Sequence, residues 1–153
     1  MSEATAVRSF AYDYAVAACG SLRTTVASAE VMLRCSGALW LAAERALVVA
    51  DLHLEKGSSY AARGQMLPPY DTRETLRRLA AEVEALAPAT VVLLGDTFHD
   101  RRSEARLAAD DADRLRALAR GRTLVWAVGN HDADGPRALP GEVVDELSIC
   151  GLT

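Results

Sequence analysis

Three short apolar runs, each followed at once by polar residues, organise this chain. A-L-V-V-A at 46–50 leads into Asp51, Leu52 and His53. T-V-V-L-L at 90–94 leads, past Gly95, into Asp96, Thr97, Phe98, His99 and Asp100. T-L-V-W-A-V at 123–128 leads, past Gly129, into Asn130, His131 and Asp132. Unbroken runs of this length, rich in β-branched side chains, predict strands buried on both faces. Helical patterns lie between them. Leu76, Leu79, Ala80, Val83 and Leu86 recur at three- and four-residue intervals and form an apolar stripe. Asp71 is the expected N-cap of that helix, Glu74 its capping-box partner and Pro88 its end. Arg73, Arg77, Arg78, Glu82 and Glu84 fall on the solvated side. A second helix is expected from just after Ser103 to Ala119, with Leu107, Leu115 and Leu118 inward and Gly121 as its stop. Strand–helix–strand–helix–strand order predicts parallel pairing through helical crossovers, an α/β fold.

The flanks are patterned more weakly. Residues 1–20 support no assignment. Residues 24–34 alternate loosely and suggest one edge strand. Residues 38–41 suggest another, turning at Ala43, Glu44 and Arg45 to pair with 46–50. Residues 51–65 read as loop or short irregular helix, and Pro68 with Pro69 excludes helix there. Residues 133–141 have loop composition, and a further strand is expected over 142–149.

Composition narrows the picture modestly. A chain of 153 residues makes one domain, or part of one. Its 17 basic and 21 acidic residues leave a net charge of −4, which argues against non-specific nucleic-acid binding over the whole surface. A local basic rim stays possible, and Arg101 with Arg102 reads either as a solvated loop pair or as a phosphate contact. Cys19, Cys35 and Cys150 form no C-x-x-C pair and are expected as small, reduced core residues. Trp40, Trp126 and Phe98 are expected to pack in the core or at its rim. The N-terminus lacks the apolar stretch of a signal peptide, and no window approaches the ~20 apolar residues of a membrane span. The expectation is a cytoplasmic protein without membrane contact.

Candidate chemistry gathers at the three strand ends. The chain has three histidines, and each lies within a few residues of such an end. Adjacent parallel strands lie ~4.8 Å apart, so these ends should converge. Open α/β sheets place their ligands there. The converging set holds carboxylates and imidazoles but no thiolate, which suits Mn²⁺, Fe or Zn²⁺ in a reactive site better than a structural zinc. Asp51 and His53, two apart on an extended chain, would face the same side and one ion. Asp96 has two oxygens with which to bridge two ions. Asn130 is a neutral oxygen ligand. His131, pointing elsewhere, would serve as an acid or as a cation against phosphoryl charge. Two ions ~3.5–4 Å apart polarise a phosphate and activate a hydroxide between them.

The motifs D-L-H at 51–53, G-D-T-F-H-D at 95–100 and G-N-H-D at 129–132 resemble the first three blocks of the calcineurin-like metallophosphoesterases. The run A-L-W-L-A-A-E-R-A-L-V-V-A-D-L-H-L-E-K-G at 38–57 is similar, more narrowly, to the bacterial ligase-associated DNA-damage-response endonucleases of that superfamily. The resemblance implies a four-layer α/β/β/α sandwich and a site for two divalent ions, Mn²⁺ first. It implies Asp51 and His53 as ligands of the first metal, Asp96 as the bridge, Asn130 as a ligand of the second, and His131 as the catalytic histidine. His99 matches a position that is histidine in the repair-nuclease branch, which favours phosphodiester hydrolysis, with DNA as substrate and a DNA ligase or helicase as partner. Family members continue with a lone histidine and a G-H-x-H block, whereas this sequence has no histidine after His131. The chain is therefore expected to be the N-terminal part of such an enzyme, with metal affinity weakened accordingly. The alternatives are an inactive remnant acting as a binding module, and a phosphomonoesterase.

Overall fold

The computed structural model describes residues 14–66, 70–130 and 134–153. Pro68, Pro69, His131 and Asp132 lie outside the described residues, as do residues 1–13. The elements run Tyr14–Val16 (β1), Leu22–Val26 (β2), Ala29–Leu33 (β3), Leu39–Leu41 (β4), Ala46–Ala50 (β5), Lys56–Ala61 (α1), Asp71–Leu86 (α2), Thr90–Leu94 (β6), Ser103–Arg106 (α3), Ala109–Leu118 (α4), Thr123–Ala127 (β7) and Glu142–Val144 (β8). The eight strands form one mixed sheet in sequence order. β1 to β5 pair antiparallel, and β5 to β8 pair parallel.

The three apolar runs become the adjacent parallel strands β5, β6 and β7. Their register aligns Leu47 with Val91 and Leu124, and Val49 with Leu93 and Trp126. These side chains share the face that receives α2 and α4. Leu76, Leu79 and Val83 of α2 pack there with Leu115 and Leu118 of α4. Leu47, Val91, Leu93 and Leu115 are each 0% exposed, and burying a side chain of this kind contributes about 1.5–3 kcal/mol. Trp40 is 9%, Trp126 2% and Phe98 3% exposed, so all three are core residues. Phe98 stacks on Trp126 with ring centroids 5.8 Å apart. That stack ties the loop after β6 to β7.

The opposite face is covered only in part. Ile149 and Leu152 pack near Ala29, Val31, Leu41 and Ala46. By register, Tyr14, Val16, Val26, Leu33 and Leu94 project from the same face, and all five are exposed.

Several expectations need correction. Residues 24–34 do not form one strand: β2 and β3 make a tight hairpin, with Ala27 and Ser28 at φ 46° and 73°. Such turns usually carry Asn or Gly at those positions, and Ala-Ser gave no such signal. β1 pairs with β2 although its sequence shows no pattern. Asp71 is the first residue of α2, not its cap; Tyr70 holds the cap position and no side chain caps the helix. Asp71 instead accepts the Gly57 N–H at 2.9 Å, and Glu74 pairs with Arg77 and Arg78. Ala80 is exposed rather than inward. The expected helix over 103–119 breaks at Leu107, whose extended backbone (φ −54°, ψ 131°) separates α3 from α4. β8 stops at Val144, short of 149. The cysteines form no disulfide, and all three are exposed rather than core residues.

Candidate metal centre

The carboxyl ends of β5 and β6 continue as a zipped pair of loops. The Asp51 N–H donates to the Gly95 carbonyl at 3.3 Å, His53 N–H to Asp96 at 2.9 Å and Leu54 N–H to Thr97 at 2.8 Å. The His99 N–H returns to the Leu54 carbonyl at 3.0 Å, and the Gly95 N–H reaches Ala127 on β7 at 2.7 Å. This ladder supports an unusual backbone. Asp51, His53, Glu55 and Asp96 all have positive φ, at 52°, 45°, 66° and 43°. A residue other than glycine in this region costs about 1–3 kcal/mol, and such strain persists where surroundings over-determine it.

The result is a compact donor group. One ligand atom from each of Asp51, His53 and Asp96 lies within 4.8 Å of the others. Two carboxylates and an imidazole at that spacing suit one hard or borderline divalent ion. The structure brings Asp51 and His53 together by a different route from the one expected. They do not share a side through strand alternation, because the chain at both residues is left-handed, not extended.

The third strand end approaches through Gly129. A Cβ there would lie 2.4 Å from Asp96 Oδ1 and 2.5 Å from the Asp96 backbone nitrogen. Only glycine lets the chain pass so close. Asn130 follows directly and is exposed. Downstream, the Arg137 and Ala138 N–H groups donate to Glu104 at 2.8 Å each. Trp126 Nε1 donates to the Pro140 carbonyl at 2.9 Å.

His99 stands beside the donor group. Its ring lies 5.8 Å from the His53 ring in an edge-to-face arrangement, and 5.9 Å from Tyr60. Asp100, next in the chain, is tied to Arg106 by two hydrogen bonds, at 2.8 and 3.1 Å. Partial burial pushes the Asp100 carboxyl up. The Arg106 guanidinium, the Ser59 hydroxyl and the Arg102 N–H outweigh that and hold it well below the usual carboxylate range.

Sequence reasoning missed the polar frame beneath these residues. Glu55 is 8% exposed. Its N–H donates to Thr72 Oγ1 at 2.8 Å, and its carboxylate accepts from Thr72 at 3.0 Å and from Ser58 at 2.6 Å. Arg106 Nε then donates to Ser58 Oγ at 2.9 Å. A chain of charge-assisted bonds thus runs from α2 through the β5 loop and α1 to α3 and Asp100. Nothing in the periodicity of these residues announced it. The one available hint was that Glu55 and Thr72 flank the two polar loops.

Among the described residues, no helix is long and apolar enough to cross a membrane. No curated protein sequence matches the chain. Among solved structures, the nuclease MPE of Pseudomonas putida is similar, with a TM-score of 0.66 at 29% identity. That match covers 81% of this chain and 59% of the nuclease, so the chain spans well under two thirds of the length of its structural relative. A family model for calcineurin-like phosphoesterase matches residues 44–151, which takes in all three strand ends. That match covers more than half of the chain and fixes its membership: the chain belongs to the calcineurin-like phosphoesterases.

Proposed function

We propose that the chain hydrolyses phosphodiester bonds of nucleic acid with the help of two divalent ions, as an endonuclease of the DNA-repair kind. The observation that carries this reading is the convergence of Asp51, His53 and Asp96 within 4.8 Å at the ends of two parallel strands. The similarity to a bacterial nuclease supports the choice of diester over monoester. Bound divalent ions supply Lewis-acid polarisation of a phosphoryl oxygen and a nucleophile near neutral pH. Asp51 and His53 would hold the first ion, Asp96 would be shared, and Asn130 would serve the second. The close approach of Gly129 to Asp96 supports a role for its neighbour Asn130 at the shared carboxylate. His131 is assigned to the leaving or attacking oxygen as acid or cation. His99, whose ring lies 5.8 Å from that of His53, is assigned with His131 to catalysis. Manganese is the ion of choice, with iron or zinc as substitutes, because the donors are oxygen and imidazole alone. A cytoplasmic setting and association with a DNA ligase or helicase belong to the same reading.

The test compares bis-p-nitrophenyl phosphate with p-nitrophenyl phosphate, each with Mn²⁺ and with EDTA. Manganese-dependent cleavage that favours the diester, and is lost in Asp96→Asn, supports the reading. Preference for the monoester would assign a phosphomonoesterase instead. No hydrolysis of either compound would leave the chain as a binding module.

A further inference from the structure

A cleft of about 390 Å³ is lined by Ser59, Arg63, Asp100, Arg101, Arg102 and Arg106. It is joined to the site through chain neighbours: Asp100 follows His99, and Ser59 precedes Tyr60, whose ring lies 5.9 Å from that of His99. The charges around it are not balanced. Arg106 is committed to Asp100 at 2.8 Å, and the two form a neutral wall. Arg63, Arg101 and Arg102 are exposed, and none makes an ion pair among the described residues. Four guanidiniums against one carboxylate leave the cleft three charges positive, in a chain whose net charge is −4.

Six exposed arginines elsewhere are neutralised, whereas exposed Arg45, Arg120 and Arg137, like those of the cleft, make no ion pair among the described residues. Arg23, Arg73, Arg77, Arg78, Arg114 and Arg116 each face a carboxylate within 4.0 Å. Three unneutralised guanidiniums around one cavity repel one another, and an anion relieves that repulsion. Guanidinium is also the side chain best matched to phosphate, through paired N–H donors in a fixed fork. Asp100 adds to the arrangement. Its carboxylate draws Arg106 back to Ser58 and Ser103, and its Oδ1 accepts the Arg102 N–H at 2.8 Å, which fixes the loop that presents Arg101 and Arg102.

We propose that this cleft binds the phosphate next to the scissile one, so that the substrate is a nucleic-acid strand and not a mononucleotide or a simple phosphate ester. The proposal rests on the phosphodiesterase reading for the identity of the neighbouring site. A substrate with a single phosphate cannot reach both places. A strand can, and its second phosphate replaces the missing counter-charge.

The experiment uses the full chain, with Arg63→Ala, the double variant Arg101→Ala/Arg102→Ala, and Arg120→Ala as an exposed arginine elsewhere. Binding of fluorescein-labelled oligothymidylate is followed by anisotropy in EDTA over a range of salt concentrations. Each lost phosphate contact on a single strand makes the log–log salt slope shallower by about 0.7. The double variant is expected to lose about tenfold in affinity at low salt and at least that much slope, with Arg63→Ala following in the same direction and Arg120→Ala unchanged. In Mn²⁺, the rate of oligonucleotide cleavage relative to bis-p-nitrophenyl phosphate is expected to fall about tenfold in the double variant. Unchanged affinity and slope in the cleft variants would overturn the proposal, as would an equal effect of Arg120→Ala or no binding by the wild type. If the wild type binds the strand through the cleft but hydrolyses nothing, the catalytic reading fails and the cleft stands. Circular dichroism confirms that each variant is folded.

Discussion

Gly129→Ala is the substitution that probes the site most finely. The added methyl carbon would sit 2.5 Å from the Asp96 nitrogen and 2.4 Å from Asp96 Oδ1. Ordinary contact begins at 3.4 Å, so the β6 and β7 loops must separate by about 0.9 Å, the difference between 2.5 and 3.4 Å. Backbone atoms on the Asp96 side cannot swing away as a flexible side chain would. Overpacking of this kind costs about 1–3 kcal/mol, which for a chain of this length is a drop in Tm of about 2–12 °C. The functional effect should be larger than the stability effect. A shift of about 1 Å in a reacting constellation costs on the order of 100-fold in rate, and here the displaced group is a carboxylate of the Asp51, His53 and Asp96 donor group. Manganese affinity, measured by calorimetry, should fall in parallel with bis-p-nitrophenyl phosphate hydrolysis. Gly121→Ala is the comparison: Gly121 has φ +68° but nothing within 4 Å of its added carbon, so it should cost about 1 kcal/mol of stability and leave the site alone. If Gly129→Ala keeps wild-type manganese affinity and activity, the close approach of the third strand end to Asp96 has no functional weight and the reasoning fails.

Three further outcomes follow from other parts of the molecule. Leu115→Ala empties a position that is 0% exposed under the sheet and should destabilise by about 2–5 kcal/mol in chemical denaturation; a cost below 1 kcal/mol would mean that α4 is loosely seated. Thr72→Val keeps the volume but strips the Glu55 N–H and one carboxylate oxygen of their partner. It should lower stability by about 1–3 kcal/mol, and a neutral result would show that water replaces the hydroxyl. Hydrogen bonds from Arg77 and Arg78 hold Glu74 at about 2, below its ordinary 4.5. A depressed carboxylate stabilises the fold above its unfolded pKa and loses that contribution as pH falls through the folded one. The urea midpoint should therefore decline between pH 4.5 and 2, and Glu74→Gln should flatten the decline; a parallel acid limb in the variant would contradict this.

The parts of the fold that were legible in the sequence share one property: burial on both faces or on one helical stripe. β5, β6 and β7 are apolar because the helices cover one face while the other, though only partly covered, still buries Ala46, Val92 and Val125, and α2 shows its stripe because Leu76, Leu79 and Val83 must meet the sheet. The antiparallel strands were harder. β2 and β3 are half exposed, their turn uses Ala27 and Ser28, and a period of two is easily blurred over five residues. The candidate site was legible as a list and less so as a geometry. Asp51, His53 and Asp96 were named from their place after apolar runs, but the left-handed backbone that unites them has no sequence signal, since none of the three is glycine. The Glu55–Thr72–Ser58–Arg106 frame was invisible because its members lie up to 51 positions apart and are each unremarkable alone. Gly129 was visible as a glycine, and its reason became clear only from the closeness of Asp96.

The account depends most directly on Asp51, His53 and Asp96 forming a divalent-ion site. Calorimetric titration of the full chain with Mn²⁺, beside His53→Ala and Asp96→Asn, measures that without reference to any substrate. Saturable manganese binding in the wild type, weakened at least tenfold in both variants while their folded spectra are retained, is the predicted result. No manganese binding by the wild type, or equal binding by all three proteins, would contradict it.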